Sequence, residues 1–363
     1  MSRKHKYIHI AKELISKFNL DLSNKIVMTE CASEGYAFTP IIAALSGAKS
    51  VLAIGSDSRF GKFDNNKKNI LNLAEIAGVN SSVFKFVERS YLDSFDLSKI
   101  DIITNSGQLR PISSSIIYKL KETAVISLMW ETWEFRHQDI DLRACQEKNI
   151  PVIGTNENFP EISMYGYNPF IVLRLMFDLG IEIHNNKIIL LGGGNSGTAA
   201  FKGLENLGLN VLWFTKKGDN NSLKYSELNK IYDYQKIDVI INFEHDESDE
   251  IIGKKGFLSF KKLKTKFPFI SYGHICGQID IEELKSSGID FLPKKILPFG
   301  YMSYQTINLG YRPVLELVTA GLKVGEIVAN ERLSGASIEK AIQKSIDYGI
   351  GQDFKGGFLN YRV

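Results

Sequence analysis

The chain has 363 residues, 44% of them apolar and 23% charged. At about 150 residues per domain this is room for two cores, which excludes a small single module, a disordered chain and a coiled coil. Lys and Arg number 44 against 41 Asp and Glu, a formal charge of +3, so no single-sign field calls for nucleic acid or an anionic membrane as partner.

The first ten residues carry basic side chains with no apolar segment or small-residue cleavage site behind them, which reads as a cytoplasmic protein. Cys31, Cys145 and Cys276 are widely spaced and fit neither a zinc site nor a disulfide framework, so reduced thiols and no metal are expected. The longest apolar stretch, 170–179, contains Arg174 and Asp178 and falls far short of the roughly twenty residues that span a bilayer.

In chain order, β-rich runs at 25–29, 50–54, 82–87, 100–104, 124–129 and 151–154 alternate with helical patterns such as 38–47, 66–78 and 139–148. That alternation predicts a mostly parallel sheet with helices on both faces. Polar residues follow the strands: Glu30, Glu34 and Tyr36, then Asp57 and Arg59, Asn105 and Gln108, Glu131 and Glu134, Asn156 and Glu157. In an open α/β sheet, ligands bind beyond the carboxyl ends of the strands. Glu30, Glu34, Tyr36, Asn105, Gln108 and Glu134 are therefore the expected substrate contacts.

The stretch 161–180 is apolar nearly all round a helix, which predicts a helix buried between two domains. Strands at 187–191, 210–214, 238–242 and 267–271, a helix at 196–207 and another ending near Gly288 make a second α/β block. A long closing helix is predicted over 309–332, where Gly321 and Gly325 share the side of the apolar residues and allow close packing; the glycine-rich tail 349–357 reads as a loop or a frayed end. The expected fold is thus α/β, with two Rossmann-like doubly wound parallel-sheet domains. Residues 1–160, completed by 305–363 and its returning helix, form a catalytic domain, and 161–304 a dinucleotide-binding domain. The acidic run 244–250 reads as solvated surface, because adjacent side chains fan apart and cannot share one ion.

One motif carries chemistry. The strand 187–191 runs into Gly192, Gly193, Gly194, Asn195, Ser196 and Gly197, a G-x-G-x-x-G between strand and helix. The first glycine permits the turn, the second lets backbone approach a pyrophosphate, the third lets helix and strand pack closely, and the helix N-terminus attracts the anion. About twenty residues on, where an acid would hold the ribose of NAD, stand Thr215, Lys216 and Lys217. A lysine there suits a 2′-phosphate, so NADP is preferred over NAD. Asn242, Tyr272 and Gly273, at or beyond later strands, complete the expected cofactor contacts.

The segment 140–155, the apolar helix and the glycine motif, together with 269–284, resemble the D-isomer-specific 2-hydroxyacid dehydrogenases of the formate/glycerate dehydrogenase superfamily. The resemblance spans roughly 100–330. It implies a catalytic domain completed by a C-terminal helix, a nicotinamide cofactor and a homodimer paired through the nucleotide domain. The family's substrate arginine would stand near 275, where this chain has Ile275, and its Pro-His pair has only Pro298-Phe299 as a counterpart. A carbonyl hydride acceptor needs a proton donor, and His274, expected just past a strand end, is the candidate acid/base. Glu131 would orient His274 or bind substrate, and Arg136 would grip a substrate carboxylate or phosphate bidentately.

These features predict an NAD(P)-dependent oxidoreductase transferring a hydride to or from a small polar substrate. Two alternatives stay open. One is an enzyme retaining NAD for elimination or hydrolysis, as S-adenosylhomocysteine hydrolases of related architecture do; the other is a nucleotide-sensing binding protein without catalysis.

Overall fold

Short runs rich in Ile, Val and Leu become central strands buried on both faces, as parallel sheets require, with more exposed or shorter strands at the sheet edges. In the computed structural model, which describes residues 3–362, these are β1 Ile26–Glu30, β2 Ser50–Gly55, β3 Phe84–Glu88, β4 Ile102–Thr104, β5 Val125–Ser127, β6 Val152–Thr155, β7 Lys187–Leu191, β8 Asn210–Thr215, β9 Leu223–Lys224, β10 Val239–Phe243, β11 Ser271–Cys276, β12 Asp290–Leu292 and β13 Gly351–Gln352. The chain divides into two units: unit 1 runs to Ser163 and resumes at Gly310, and unit 2 is Met164–Leu309.

In unit 1 the sheet order is β13-β6-β5-β4-β1-β2-β3, parallel except for β13, which pairs antiparallel with β6. Helices Arg3–Phe18, Phe38–Leu45 and Phe63–Ala77 belong to this unit, as does the long helix Arg312–Leu333. A Cβ on Gly321 would lie 2.4 Å from Met129 Cε, and one on Gly325 would lie 2.7 Å from Ile102 Cγ2. The two glycines thus let the closing helix press directly on β4 and the end of β5. The tail is not frayed: β13 completes the sheet, and Phe354 and Phe358 behind it are buried.

In unit 2 the order is β12-β11-β10-β7-β8-β9, all parallel. Both sheets, β13 aside, therefore have the doubly wound order, with the chain reversing direction between β1 and β4 in one and between β7 and β10 in the other. Ile189 and Leu191 pack into one core layer while Ile188 and Leu190 pack into the other, as the two-residue side-chain period of a strand demands.

Two expectations need correction. The helix Asn168–Asp178 buries Ile171, Val172, Leu175 and Met176, but Phe170 and Phe177 on its other face are 54% and 62% exposed. The strand expected at 267–271 begins only at Ser271. Phe267 instead closes the helix Phe260–Lys266, with its N–H bonded to Leu263 O, and Phe269 is 94% exposed. That five-residue run is apolar enough to pass for a strand, which shifts the expected position of every residue after it.

Candidate functional site

The carboxyl rim of the unit 1 sheet gathers most of the residues singled out as substrate contacts. Glu30 ends β1 beside the reversal point and is 1% exposed. Its Oε1 accepts from Thr39 Oγ1 at 3.1 Å. Burial raises its carboxyl to about 7, against the opposing effects of hydrogen bonds from Ser106 and Thr39 and the charge of Arg110. Gly107 is glycine for a reason here: its φ is +57°, and a Cβ would sit 2.2 Å from Glu30 Oε2. Tyr36 is half-buried and its phenol is pushed up to about 12 by burial and the nearby Glu30 charge. Glu34 is exposed with φ +53°.

A second group stands after β5 and β6. Glu131 is 2% exposed; its Oε2 accepts from Trp133 Nε1 at 2.5 Å, and its Oε1 accepts from the Glu157 N–H at 3.2 Å. Glu134 and Glu157 are half-buried, and their carboxyl groups face each other. Burial raises Glu134 to about 7, with the Arg136 charge opposing, and burial together with Glu134 and Glu131 raises Glu157 well above the ordinary range. Arg136 lies 3.6 Å from Asp139, which also takes Arg110 at 3.0 Å.

The loop bearing these carboxylates is fastened by the tail. Gln352 Oε1 accepts from Thr132 N at 2.7 Å and from Thr132 Oγ1 at 2.9 Å, and Thr132 Oγ1 also approaches Asp353 O at 3.1 Å. Asn105 and Gln108 are engaged by neighbours: Asn105 Oδ1 accepts from Met129 N at 2.8 Å, and Gln108 Oε1 accepts from Ser56 Oγ at 2.8 Å. Sequence reasoning missed Arg110 and gave Glu157 no role, although the strand-end rule that finds Gln108 reaches both.

In unit 2 the glycine turn stands at the reversal point. Gly192 has φ +135°, and a Cβ on it would lie 2.1 Å from Phe243 O at the end of β10. A Cβ on Gly197 would lie 2.2 Å from Gly192 O, so the helix Gly194–Asn206 can cross the turn only with glycine there. Gly193 is the N-cap residue, with extended backbone, and Gly194 has φ +60°. Asn195 is exposed, while Ser196 is 9% exposed and its carbonyl accepts from Asn168 Nδ2 at 3.3 Å. The opening amides of a helix of this length suit an anion. One internal feature opposes it: Asp246 Oδ2 would lie 2.6 Å from a Cβ on Gly194, which sets a carboxylate against the turn.

Several unit 2 expectations are revised. His274 does not follow a strand; it lies inside β11, opposite Asn242, and is fully buried. Its Nε2 is 2.9 Å from Gly277 O and its Nδ1 is 3.0 Å from Ser303 Oγ. A carbonyl only accepts, so Nε2 carries the hydrogen and Nδ1 accepts from the hydroxyl. Burial lowers the imidazole to about 4, so it is neutral and both nitrogens are engaged within unit 2. Both oxygens of Glu131 are engaged within unit 1, by Trp133 and by the Glu157 N–H. Tyr272 is 1% exposed, and a Cβ on Gly273 would lie 2.6 Å from Ile241 Cδ1 and 2.8 Å from Leu175 Cδ2. Both belong to the core of β11, and the glycine admits the helix Asn168–Asp178 to the sheet. Asn242 is fully buried at the end of β10, where its Oδ1 accepts from Glu244 N at 3.3 Å.

The acidic run is not uniformly solvated either. Glu244 is 1% exposed; its Oε1 accepts from Asp246 N at 2.8 Å and Glu247 N at 3.3 Å, and its Oε2 from the Tyr225 hydroxyl. Among the described residues no group of three or more His, Cys, Asp or Glu is placed to hold a metal ion, and no helix is long and apolar enough to cross a membrane.

No protein-family model and no curated protein matches the chain. Solved structures do. A dipicolinate synthase subunit from Bacillus halodurans is 13% identical, with 86% of this chain and 99% of that one covered and a TM-score of 0.52. Its counterpart in the dipicolinate synthase of Bacillus subtilis is 13% identical, covering 89% and 99%, with a TM-score of 0.51. An NAD+-bound 3-phosphoglycerate dehydrogenase from Entamoeba histolytica is 14% identical, covering 87% and 97%, with a TM-score of 0.42. The structural neighbours include members of the D-isomer-specific 2-hydroxyacid dehydrogenases, and the likeness is one of fold: two Rossmann-like α/β domains.

Proposed function

We propose that the chain is an oxidoreductase that uses a nicotinamide dinucleotide, NADP or NAD, to transfer a hydride to or from a small polar substrate bearing a carboxylate or phosphate. The observation that carries this reading is the glycine turn: Gly192 and Gly197 each stand where a Cβ would collide with backbone, at the reversal point of a doubly wound sheet. The fold shared with the two dipicolinate synthase structures supports it, since dipicolinate is itself a small carboxylate.

When bound, the nicotinamide supplies the hydride donor or acceptor. Unit 2 holds the diphosphate with the amides at the start of the helix Gly194–Asn206, and unit 1 holds the substrate at its carboxyl rim. Arg110 and Arg136 are the cations on that rim for an acidic substrate, each approaching the shared partner Asp139. The proton that accompanies the hydride comes from Glu134, whose carboxyl burial raises to about 7, beside the likewise raised Glu157. Glu131 and the tail position this pair, and Glu30 and Tyr36 contact substrate. His274, neutral and fully engaged, holds β11 to the Ser303 segment within unit 2.

Oxidation of NADH and NADPH against a panel of small 2-oxo acids and phosphorylated aldehydes, followed by the near-ultraviolet absorbance of the reduced coenzyme, tests the proposal. Turnover with at least one of them, reduced at least tenfold in Glu134→Gln with nucleotide affinity retained, is expected on the usual scale of acid–base catalysis, about 10²-fold. Coenzyme binding without turnover on any of them would favour the sensing alternative.

A further inference from the structure

In a doubly wound dinucleotide-binding unit the residue ending the second strand discriminates the coenzymes, an acid meeting the ribose 2′-hydroxyl of NAD and a base the 2′-phosphate of NADP. Here that strand is β8, and the residue ending it is Thr215. Its hydroxyl is turned into its own loop, accepting from Gly218 N at 3.0 Å and meeting Ser222 Oγ at 3.2 Å. The next residue, Lys216, is ion-paired with Glu247, which comes from the loop after β10. That pair links the loops that follow β8 and β10. Glu247 is anchored in turn, its N–H donating to the buried Glu244 carboxylate. The structure thus supplies, from a neighbouring loop, the acid that the sequence lacks after β8.

We propose that Glu247 is the residue that selects the coenzyme, accepting from the ribose hydroxyls of NAD and excluding the 2′-phosphate of NADP. The inference rests on the dinucleotide reading of the glycine turn and reverses the preference for NADP drawn from Thr215, Lys216 and Lys217. Lys216 faces Glu247, Asp249 and Glu244, so the local field is acidic before a phosphate group adds up to about two further negative charges. The ammonium of Lys216 is engaged by Glu247 and is not free for a phosphate.

The test is a comparison of dissociation constants for NADH and NADPH, read by isothermal titration calorimetry, in the wild type, Glu247→Gln, Lys216→Ala and the double variant, each checked by thermal melting. The wild type should bind NADH at least about tenfold more tightly than NADPH, on the scale of one hydrogen bond to a charged group. Glu247→Gln should collapse that ratio by weakening NADH and strengthening NADPH, and the NADPH gain should vanish in the double variant because it needs the freed lysine. A wild type that prefers NADPH, or a Glu247→Gln change equal for both coenzymes, overturns the assignment of Glu247 while leaving the dinucleotide reading intact. Absence of binding to either coenzyme by the folded wild type overturns both.

Discussion

Asp246 offers the sharpest quantitative test of how the glycine turn treats an anion. Its Oδ2 lies 2.6 Å from the point where a Gly194 Cβ would be, and its Cγ 3.5 Å from it, so a diphosphate on the amides of this turn would have a carboxylate roughly 5 Å away. Two unit charges at that distance repel by about 0.8 kcal/mol in water and about 3 kcal/mol at an effective dielectric of about 20. Asp246 is an exposed residue and can swing toward solvent, which favours the lower end, about 1 kcal/mol, or about fivefold in affinity. Asp246→Asn should therefore bind NADH about fivefold more tightly at low salt, with the gain shrinking as ionic strength rises. Burial and the Glu247 charge raise the Asp246 carboxyl above the ordinary range. It therefore takes up its proton at a higher pH than a free aspartate, and wild-type affinity should climb as the pH falls into the acid range, whereas the variant should lack this component. Fluorescence titration with NADH at two salt concentrations and across pH measures all three effects. Unchanged or weaker binding by Asp246→Asn would refute the reasoning.

Gly197→Ala places a Cβ 2.2 Å from Gly192 O, and chemical denaturation should show a loss of about 1–3 kcal/mol together with loss of nucleotide binding. Glu30 has a folded-state value of about 7, raised by burial from 4.5. Its contribution is therefore fully present below the unfolded value and lost as pH rises through the folded one, by about 3 kcal/mol in total. Glu30→Gln should flatten that decline in urea melts taken across the interval between the two values. Replacing His274 by Leu leaves the buried Gly277 carbonyl without its donor, so a loss of about 1–3 kcal/mol is expected; a melt unchanged from wild type would contradict an imidazole engaged at both nitrogens. Gln352→Ala removes the acceptor of two Thr132 hydrogen bonds and should lower both the melting temperature and the turnover while leaving nucleotide affinity unaltered.

The doubly wound architecture was legible because its signals are local and repeated: apolar runs closed by polar residues, then helical periodicity, then a glycine turn between strand and helix. The closing helix was legible because Gly321 and Gly325 fall on its apolar side. What failed depended on long-range pairing. Tyr272, Gly273 and His274 look like a polar loop, yet β10 and the helix Asn168–Asp178 bury them inside β11. The tail 349–357 carries glycines that suggest looseness, but pairing with β6 and the burial of Phe354 and Phe358 fasten it. The role of Glu247 is invisible along the chain, since its partner Lys216 comes from a different strand end. Glu134 and Glu157 likewise come together only because β5 and β6 are neighbours.

Calorimetric titration of the folded protein with NAD, NADH, NADP and NADPH, paired with a crystal structure of whichever complex forms, tests the central claim most directly. The account predicts heat on binding and diphosphate density against the backbone amides of 193–196. Silent titrations with all four, or a coenzyme bound elsewhere with Asp246 still resting on Gly194, would contradict it.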